Sequence, residues 1–335
     1  MRATVVLVLL LAGCGAPAGA PDAGPSDAGT DARRADVGPP DAGPPILDPG
    51  LFDCTSPEVT TGTPSPRVST IPVACLLDPA CQTPMVSGHR GAGGQLGRIA
   101  PEDTLAAYRA GIALGIEFLE TDPRPTLDGV LVNVHDTTVD RTTDGTGTVD
   151  QMTFDAVRAL HIRTTLPGDY GCERVPTLRE ILEVARGRAV VLVDANKTDR
   201  VDLLVQAIHD ADALEWAIFD TSSVDKIDRA LALEPGLHFM IRPATADITT
   251  QLDHFAPRVP SIVELDPGDV GTGAPMVHAR GTRVLTDQFQ FDVLADVSNG
   301  ANVAGYGTSL DMGVDILQTD RPDLALRVLR MRGAR

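Results

Sequence analysis

From residue 85 onward, short apolar runs alternate with amphipathic stretches, and this alternation limits the fold more than any other feature of the chain. Candidate strands fall at 85–89, 116–122, 130–135, 189–194, 215–220, 237–242, 261–266, 283–286 and 315–319. Candidate helices fall at 102–114, 154–160, 178–186, 201–211, 223–233 and 322–330. A strand followed by a helix at this spacing needs a crossover connection, so the sheet is parallel, and about eight such repeats close it into a barrel. The expectation is an α/β fold, a (β/α)8 TIM-like barrel occupying 85–335. An open doubly wound sheet is the alternative. It would carry a glycine-rich dinucleotide turn, and the Gly91-Ala92-Gly93-Gly94 run is not followed by a helix at the right spacing.

The residues before the barrel have a different character. Met1-Arg2 precedes the apolar run Val5-Val6-Leu7-Val8-Leu9-Leu10-Leu11, too short to span a membrane, and then Ala12-Gly13-Cys14. Leu11-Ala12-Gly13-Cys14 resembles a bacterial lipobox, which implies a signal peptide over 1–13 and lipidation of Cys14. Residues 14–50 are rich in Pro, Ala, Gly and Asp, with imperfect repeats such as Pro21-Asp22-Ala23-Gly24 and Pro40-Asp41-Ala42-Gly43. Such a stretch has too little apolar surface to offset chain entropy and is expected to be a disordered tether. Residues 51–84 read as an irregular lead-in that bears cysteines. The localisation that follows is an exported lipoprotein, on the periplasmic or cell-surface side, touching membrane through its N-terminal lipid only.

Charge and cysteines narrow the partners. A net charge of −18 argues against nucleic acid, which calls for a basic stripe, but leaves small anionic ligands open. Cys54, Cys75, Cys81 and Cys172 remain once Cys14 is set aside, and an even count in an exported chain favours two disulfides over a zinc site. Four cysteines allow three connectivities.

The polar residues sit at strand ends, where a barrel gathers them at one mouth. In Glu120-Thr121-Asp122, period-2 geometry places both carboxylates on one face, and two like charges there call for a cation between them or for water. Downstream, Asp128-Gly129 is a strong hairpin signal. A two-residue turn there sets His135 directly opposite Asp122. His89-Arg90-Gly91 ends the first candidate strand. Two imidazoles can accept and donate protons near neutral pH, as cleavage of a phosphodiester requires, and the Arg90 fork can hold phosphate oxygens. Carboxylate oxygens favour one divalent hard cation, Ca²⁺ or Mg²⁺, over zinc.

Several blocks resemble the signatures of the glycerophosphodiester phosphodiesterases. They are His89-Arg90-Gly91, Pro101-Glu102-Asp103-Thr104-Leu105, Glu120-Thr121-Asp122, the run from Val134-His135-Asp136 to Gly145-Thr146-Gly147, Val175-Pro176-Thr177-Leu178, and Gly313-Val314-Asp315 through Pro322-Asp323-Leu324. The resemblance implies a barrel enzyme that cleaves glycerophosphodiesters to glycerol 3-phosphate and an alcohol. It implies His89 and His135 as the acid–base pair, Glu120 and Asp122 as metal ligands, and Glu102 as a support that orients a histidine or caps its helix.

Where the family carries Glu-x-Lys, this chain has Asp194-Ala195-Asn196-Lys197. Asp194 is the substitute ligand. Lys197, displaced by one residue, needs a bulge or an early strand end to reach the substrate phosphate. Asp103 stands in place of an asparagine at a helix start, where either can cap. The tryptophan common near 283–289 is missing. A lysophospholipase D-like activity and a non-catalytic surface binding lipoprotein are the alternative readings. The first lacks a basic amphipathic surface helix, and the second draws on the Asp194 and Asn196 departure.

Overall fold

The structure is a computed structural model that describes residues 47–335. The signal peptide, Cys14 and most of the tether lie outside the described residues. Ten strands follow in chain order: β1 (Met85–Gly88), β2 (Phe118–Thr121), β3 (Pro123–Pro125), β4 (Leu131–Asn133), β5 (Val190–Asp194), β6 (Ala217–Thr221), β7 (His238–Ile241), β8 (Ile262–Glu264), β9 (Val284–Asp287) and β10 (Ile316–Thr319). The barrel closes in the order β1-β10-β9-β8-β7-β6-β5-β2, and its neighbours are parallel throughout. Strands such as Val190-Val191-Leu192-Val193-Asp194 are buried along their whole length, because helices cover one face and the barrel interior fills the other. That is why they read as continuous apolar runs.

Local chemistry sets the helix starts. The Thr104 side chain accepts the Ala107 N–H and caps Leu105–Leu114. Thr177 and Glu180 form a reciprocal capping box on Leu178–Ala185. Helices also occupy Ile248–Phe255, Val270–His278, Phe289–Val297 and Ala304–Asp311, all missed by periodicity. In Val270–His278, Gly271, Gly273 and Pro275 obscure the helical pattern, and the cover of β8 and β9 overrides propensity.

Two expectations need correction. The segment 130–135 is not a barrel strand: β4 pairs with β3 as an antiparallel hairpin outside the barrel, and Val132 also bridges Thr177. The hairpin turn is also longer by one residue than a two-residue turn. Gly129, at φ 83°, donates to Thr126 O at 2.9 Å, while the Thr126 N–H donates to Val130 O at 2.9 Å. The loop is therefore Leu127-Asp128-Gly129, a turn closed by a glycine in the left-handed region. The register becomes Pro123↔Asn133, and the Val134 N–H donates to Asp122 O at 3.1 Å, so Asp122 faces Val134 and not His135.

The lead-in is pinned as expected, with Cys54 bonded to Cys172 and Cys75 to Cys81. It carries helical turns at Pro57–Thr61 and Val73–Leu77, and buries Phe52, Leu76 and Leu77. Val73–Leu77 seals the barrel end opposite the mouth, where the buried Arg283 donates to Leu76 O at 2.6 Å and Cys75 O at 3.1 Å. Among the described residues, no helix is long and apolar enough to cross a membrane.

Candidate active site

The C-terminal ends of the barrel strands bring the charged residues together. Glu120 and Asp122 from the end of β2 and Asp194 from the end of β5 each turn a carboxylate oxygen inward, with all these atoms within 4.8 Å of one another. All three residues are buried. Burial, reinforced by Asp122, Asp194 and Asp103, raises the Glu120 carboxyl well above its usual range. Asp122 Oδ2 is buried without a hydrogen-bond partner. Three converging oxygen donors, one of them orphaned, fit a hard divalent cation.

Lys197 reaches the same cluster. β5 ends at Asp194 and a 3-10 turn, Ala195–Lys197, follows directly, so the early strand end required by the sequence is present. Lys197 Nζ lies 3.2 Å from Asp122 Oδ1 and 3.8 Å from Asp194 Oδ2. Asn196 supplies part of the turn: its N–H donates to Asp194 Oδ1 at 2.6 Å, leaving the other oxygen to face the cluster.

Arg90 follows β1 at φ 51°, a left-handed backbone that curls the loop over the mouth. Its N–H donates to Glu120 Oε2 at 2.8 Å, and its guanidinium holds Glu102 at 3.0 Å and lies 3.7 Å from Asp122. Glu102 touches neither histidine and does not cap the helix. It binds Arg90 and Arg141, because Thr104 already serves as the cap and the loop at 101–103 turns the Glu102 carboxylate toward the two guanidinium groups. Asp103 does not cap either. Its carboxylate accepts the His135 N–H at 3.0 Å and Asn133 Nδ2 at 2.7 Å, and Asn133 Oδ1 in turn accepts the Asp122 N–H at 2.7 Å. This lattice brings the hairpin to the carboxylates even though the register differs from a two-residue turn.

Both histidines flank the cluster with Nδ1 engaged. His89 Nδ1 lies 2.7 Å from Asp320 Oδ1, just past β10. Burial would lower the His89 pKa, but the bond and charge of Asp320 outweigh it and raise the group above its ordinary value. His135 Nδ1 lies 3.0 Å from Asp136 Oδ1. Here burial dominates the opposing pull of Asp122 and Asp136, and the His135 pKa is lowered. Two imidazoles with pKa values pushed apart are suited to opposite proton-transfer roles.

Residues 89–231 match the family model of the glycerophosphoryl diester phosphodiesterase family. That segment carries the chain's similarity to the family. The chain is 32% identical over 157 residues to a glycerophosphodiester phosphodiesterase 1 of Bos taurus, an alignment covering 46% of this chain and 45% of that protein. The chain thus spans about half the length of the curated relatives it matches. The fold resembles a glycerophosphoryl diester phosphodiesterase of Parabacteroides distasonis, with TM-score 0.68, 24% identity, and coverage of 79% of this chain and 93% of the other. It also resembles an Oleispira antarctica phosphodiesterase solved in complex with its product sn-glycerol-3-phosphate, with TM-score 0.59, 22% identity, and coverage of 74% and 97%.

The segment matched by the glycerophosphoryl diester phosphodiesterase model begins at His89 and takes in every candidate site residue placed in the barrel. Residues given no role in the sequence-derived site lie on both sides of that segment's end. Asp320 lies beyond it, although the rule that placed the others, a polar residue at a strand end, also applies there. Arg242 after β7 is held by Asp220 at 2.8 Å, lies 2.9 Å from Glu264, and reaches within 3.9 Å of Asp194. Burial pushes Asp220 up to about 6 and Glu264 to about 7 against the pull of Arg242. Arg141 ties Glu102 to Asp136 at 2.6 and 2.7 Å, and only folding could reveal that pairing.

Proposed function

We propose that this barrel hydrolyses glycerophosphodiesters to glycerol 3-phosphate and an alcohol, with His135 as general base and His89 as general acid. The carrying observation is the pair of histidines, each tied through Nδ1 to a carboxylate, flanking three converged buried carboxylates and Lys197. The match to the family model supports the reaction class, and the product bound to the Oleispira antarctica relative supports the substrate class.

With Nδ1 engaged, Nε2 is the proton-transfer atom on each ring. His135 Nε2 takes a proton from the attacking water, whose oxygen forms a new P–O bond as the P–O bond to the alcohol breaks, and His89 Nε2 protonates the departing oxygen. Arg90 and Lys197 are placed to contact the non-bridging phosphate oxygens, and low-dielectric surroundings strengthen such contacts. Glu120, Asp122 and Asp194 would hold one Ca²⁺ or Mg²⁺. When bound, that cation neutralises charge that develops on the phosphoryl oxygens. Asp136 holds the His135 ring in place, and Arg141 keeps the Asp136 carboxyl well below its usual range, so it stays ionised.

The same reading places the domain outside the cytoplasmic membrane, held by a lipid on Cys14. Full-length protein, tested with glycerophosphocholine and glycerophosphoethanolamine, is expected to turn over with Ca²⁺ or Mg²⁺ and to stop in EDTA. His89→Ala and His135→Ala are each expected to lose on the order of 10²–10⁴-fold in kcat. In the same preparations the wild type sediments with membranes and Cys14→Ser does not. Turnover that survives EDTA or both histidine variants overturns the mechanism, and no turnover of any diester overturns the activity.

A further inference from the structure

Behind the histidine side of the mouth lies a buried acid that the mechanism above leaves unused. Asp292 sits in helix Phe289–Val297 and has no solvent exposure. Carboxylates are seldom fully buried unless something specific holds them. Its partners are three neutral donors. Tyr306 OH, from helix Ala304–Asp311, donates to Oδ1 at 2.6 Å, and Thr319 Oγ1 donates to the same oxygen. The Asp320 backbone N–H donates to Oδ2 at 2.8 Å.

The last of these bonds bears on the chemistry. The Asp320 carboxylate has two oxygens with separate tasks: Oδ2 accepts the Leu96 N–H at 2.7 Å, and Oδ1 meets His89 Nδ1 at 2.7 Å. Asp320 is thus held through its backbone by Asp292 and through one oxygen by the loop after β1, which leaves the other oxygen aimed at His89. Thr319 is held as well, so Asp292 grips two consecutive residues where β10 ends. A purely structural role in this position could be filled by an apolar side chain at lower desolvation cost. What a buried carboxylate adds is a pair of directional acceptors at the point where the strand must turn Asp320 into the mouth. Burial pushes Asp292 up to about 7, and the three donors oppose that rise.

From this geometry we infer that Asp292 is a positioning residue for His89, acting through Asp320. The inference rests on the reading of His89 as the acid, and it extends the family-matched site into a helix well beyond residue 231. Asp292→Asn keeps the size of the side chain but replaces one acceptor with a donor, which must face either Asp320 N–H or the two hydroxyls.

The test is titration of His89 by ¹⁵N NMR in the wild type and Asp292→Asn, alongside the pH profile of kcat. In Asp292→Asn the His89 titration is expected to fall toward the ordinary imidazole value. The basic limb of kcat should move to lower pH with it, and kcat should drop about ten- to a hundredfold with KM little changed. Tyr306→Phe, which leaves the Asp320 bond in place, should shift His89 much less. Should Asp292→Asn fail to fold, Thr319→Val, which removes one tether of Asp292, is expected to move the titration the same way by less. A folded Asp292→Asn with wild-type His89 titration and pH profile overturns the proposal, as does an unmoved titration in Thr319→Val where Asp292→Asn cannot be measured. A wild type that hydrolyses no diester, yet whose His89 titration drops in Asp292→Asn, would sink the hydrolase reading and leave this one standing.

Discussion

The two ends of the barrel both bury charge, and they treat it in opposite ways. At the sealed end, Glu117 accepts bonds from Ser69 Oγ, the Val86 N–H at 3.1 Å and Arg335. Arg283 nearby spends its donors on the carbonyls of Cys75, Leu76 and Ser261. Burial lowers Arg283 to about 10, still far above neutral pH, so it remains a cation. At the mouth, Asp122 Oδ2 and Arg90 Nε make no hydrogen bond, and the Glu120 carboxyl is raised by burial and by neighbours of its own sign. Glu117 and Arg283, which serve stability, are met by partners within the chain. Charges left partly unmet are poised for partners that arrive from outside.

Three measurements can break or sharpen that contrast. The largest effect belongs to the sealed end. Glu117→Ala should cost about 3–5 kcal/mol of unfolding free energy, because the Arg335 guanidinium is left uncompensated, and Arg283→Met about 1–3 kcal/mol, because buried carbonyls lose their donor. The fraction that remains folded should keep the wild-type kcat. Chemical denaturation with activity assays reads both, and a stable Glu117→Ala with impaired turnover would invert the assignment of the two ends.

At the mouth, Glu120→Gln should be neutral or stabilising by roughly 0.5–2 kcal/mol in EDTA, since it relieves repulsion among buried carboxylates. Ca²⁺ or Mg²⁺ should raise the Tm of the wild type, and the same substitution should abolish that rise. Thermal melts in EDTA and in excess cation settle the matter; a strongly destabilised Glu120→Gln would show that the mouth, too, is built for stability.

The smallest effect is in pH dependence. A base must be neutral, so the rate falls as pH drops through the lowered pKa of His135, placing the acid limb below the usual imidazole value of about 6.5. An acid must be protonated, so the rate falls as pH rises through the raised pKa of His89, placing the basic limb above that value. A plateau spanning about pH 6.5 is the expected profile of kcat. Reversed limbs would exchange the two roles without touching the stability contrast.

The contrast also shows which parts of the molecule were legible in advance. Eight of the nine candidate strands recur in the barrel, because a parallel strand buried on both faces writes itself as an apolar run. The ninth, 130–135, has the same composition but pairs in a hairpin outside the barrel. At the mouth, Glu120 and Asp122 share a face by period-2 geometry, which no tertiary context alters. Lys197 could be placed only once the strand was seen to stop at Asp194. The role of Glu102 as an arginine clamp was likewise invisible, since its partners Arg90 and Arg141 lie on separate loops.

What the amino-acid sequence determined by itself depends on spacing along one segment: the barrel strands, the first helices, the facing carboxylates and the residue types able to exchange protons. Only the tertiary structure decided which of those groups have partners. Asp320 meets His89 from beyond residue 280 and is itself held by Asp292, and Asp103 meets His135 across a hairpin whose register turns on Gly129. The reason is physical: periodicity acts over a few residues, whereas closing a barrel brings strand ends from the whole chain to one place, where burial and neighbouring charges set the ionisation of each group.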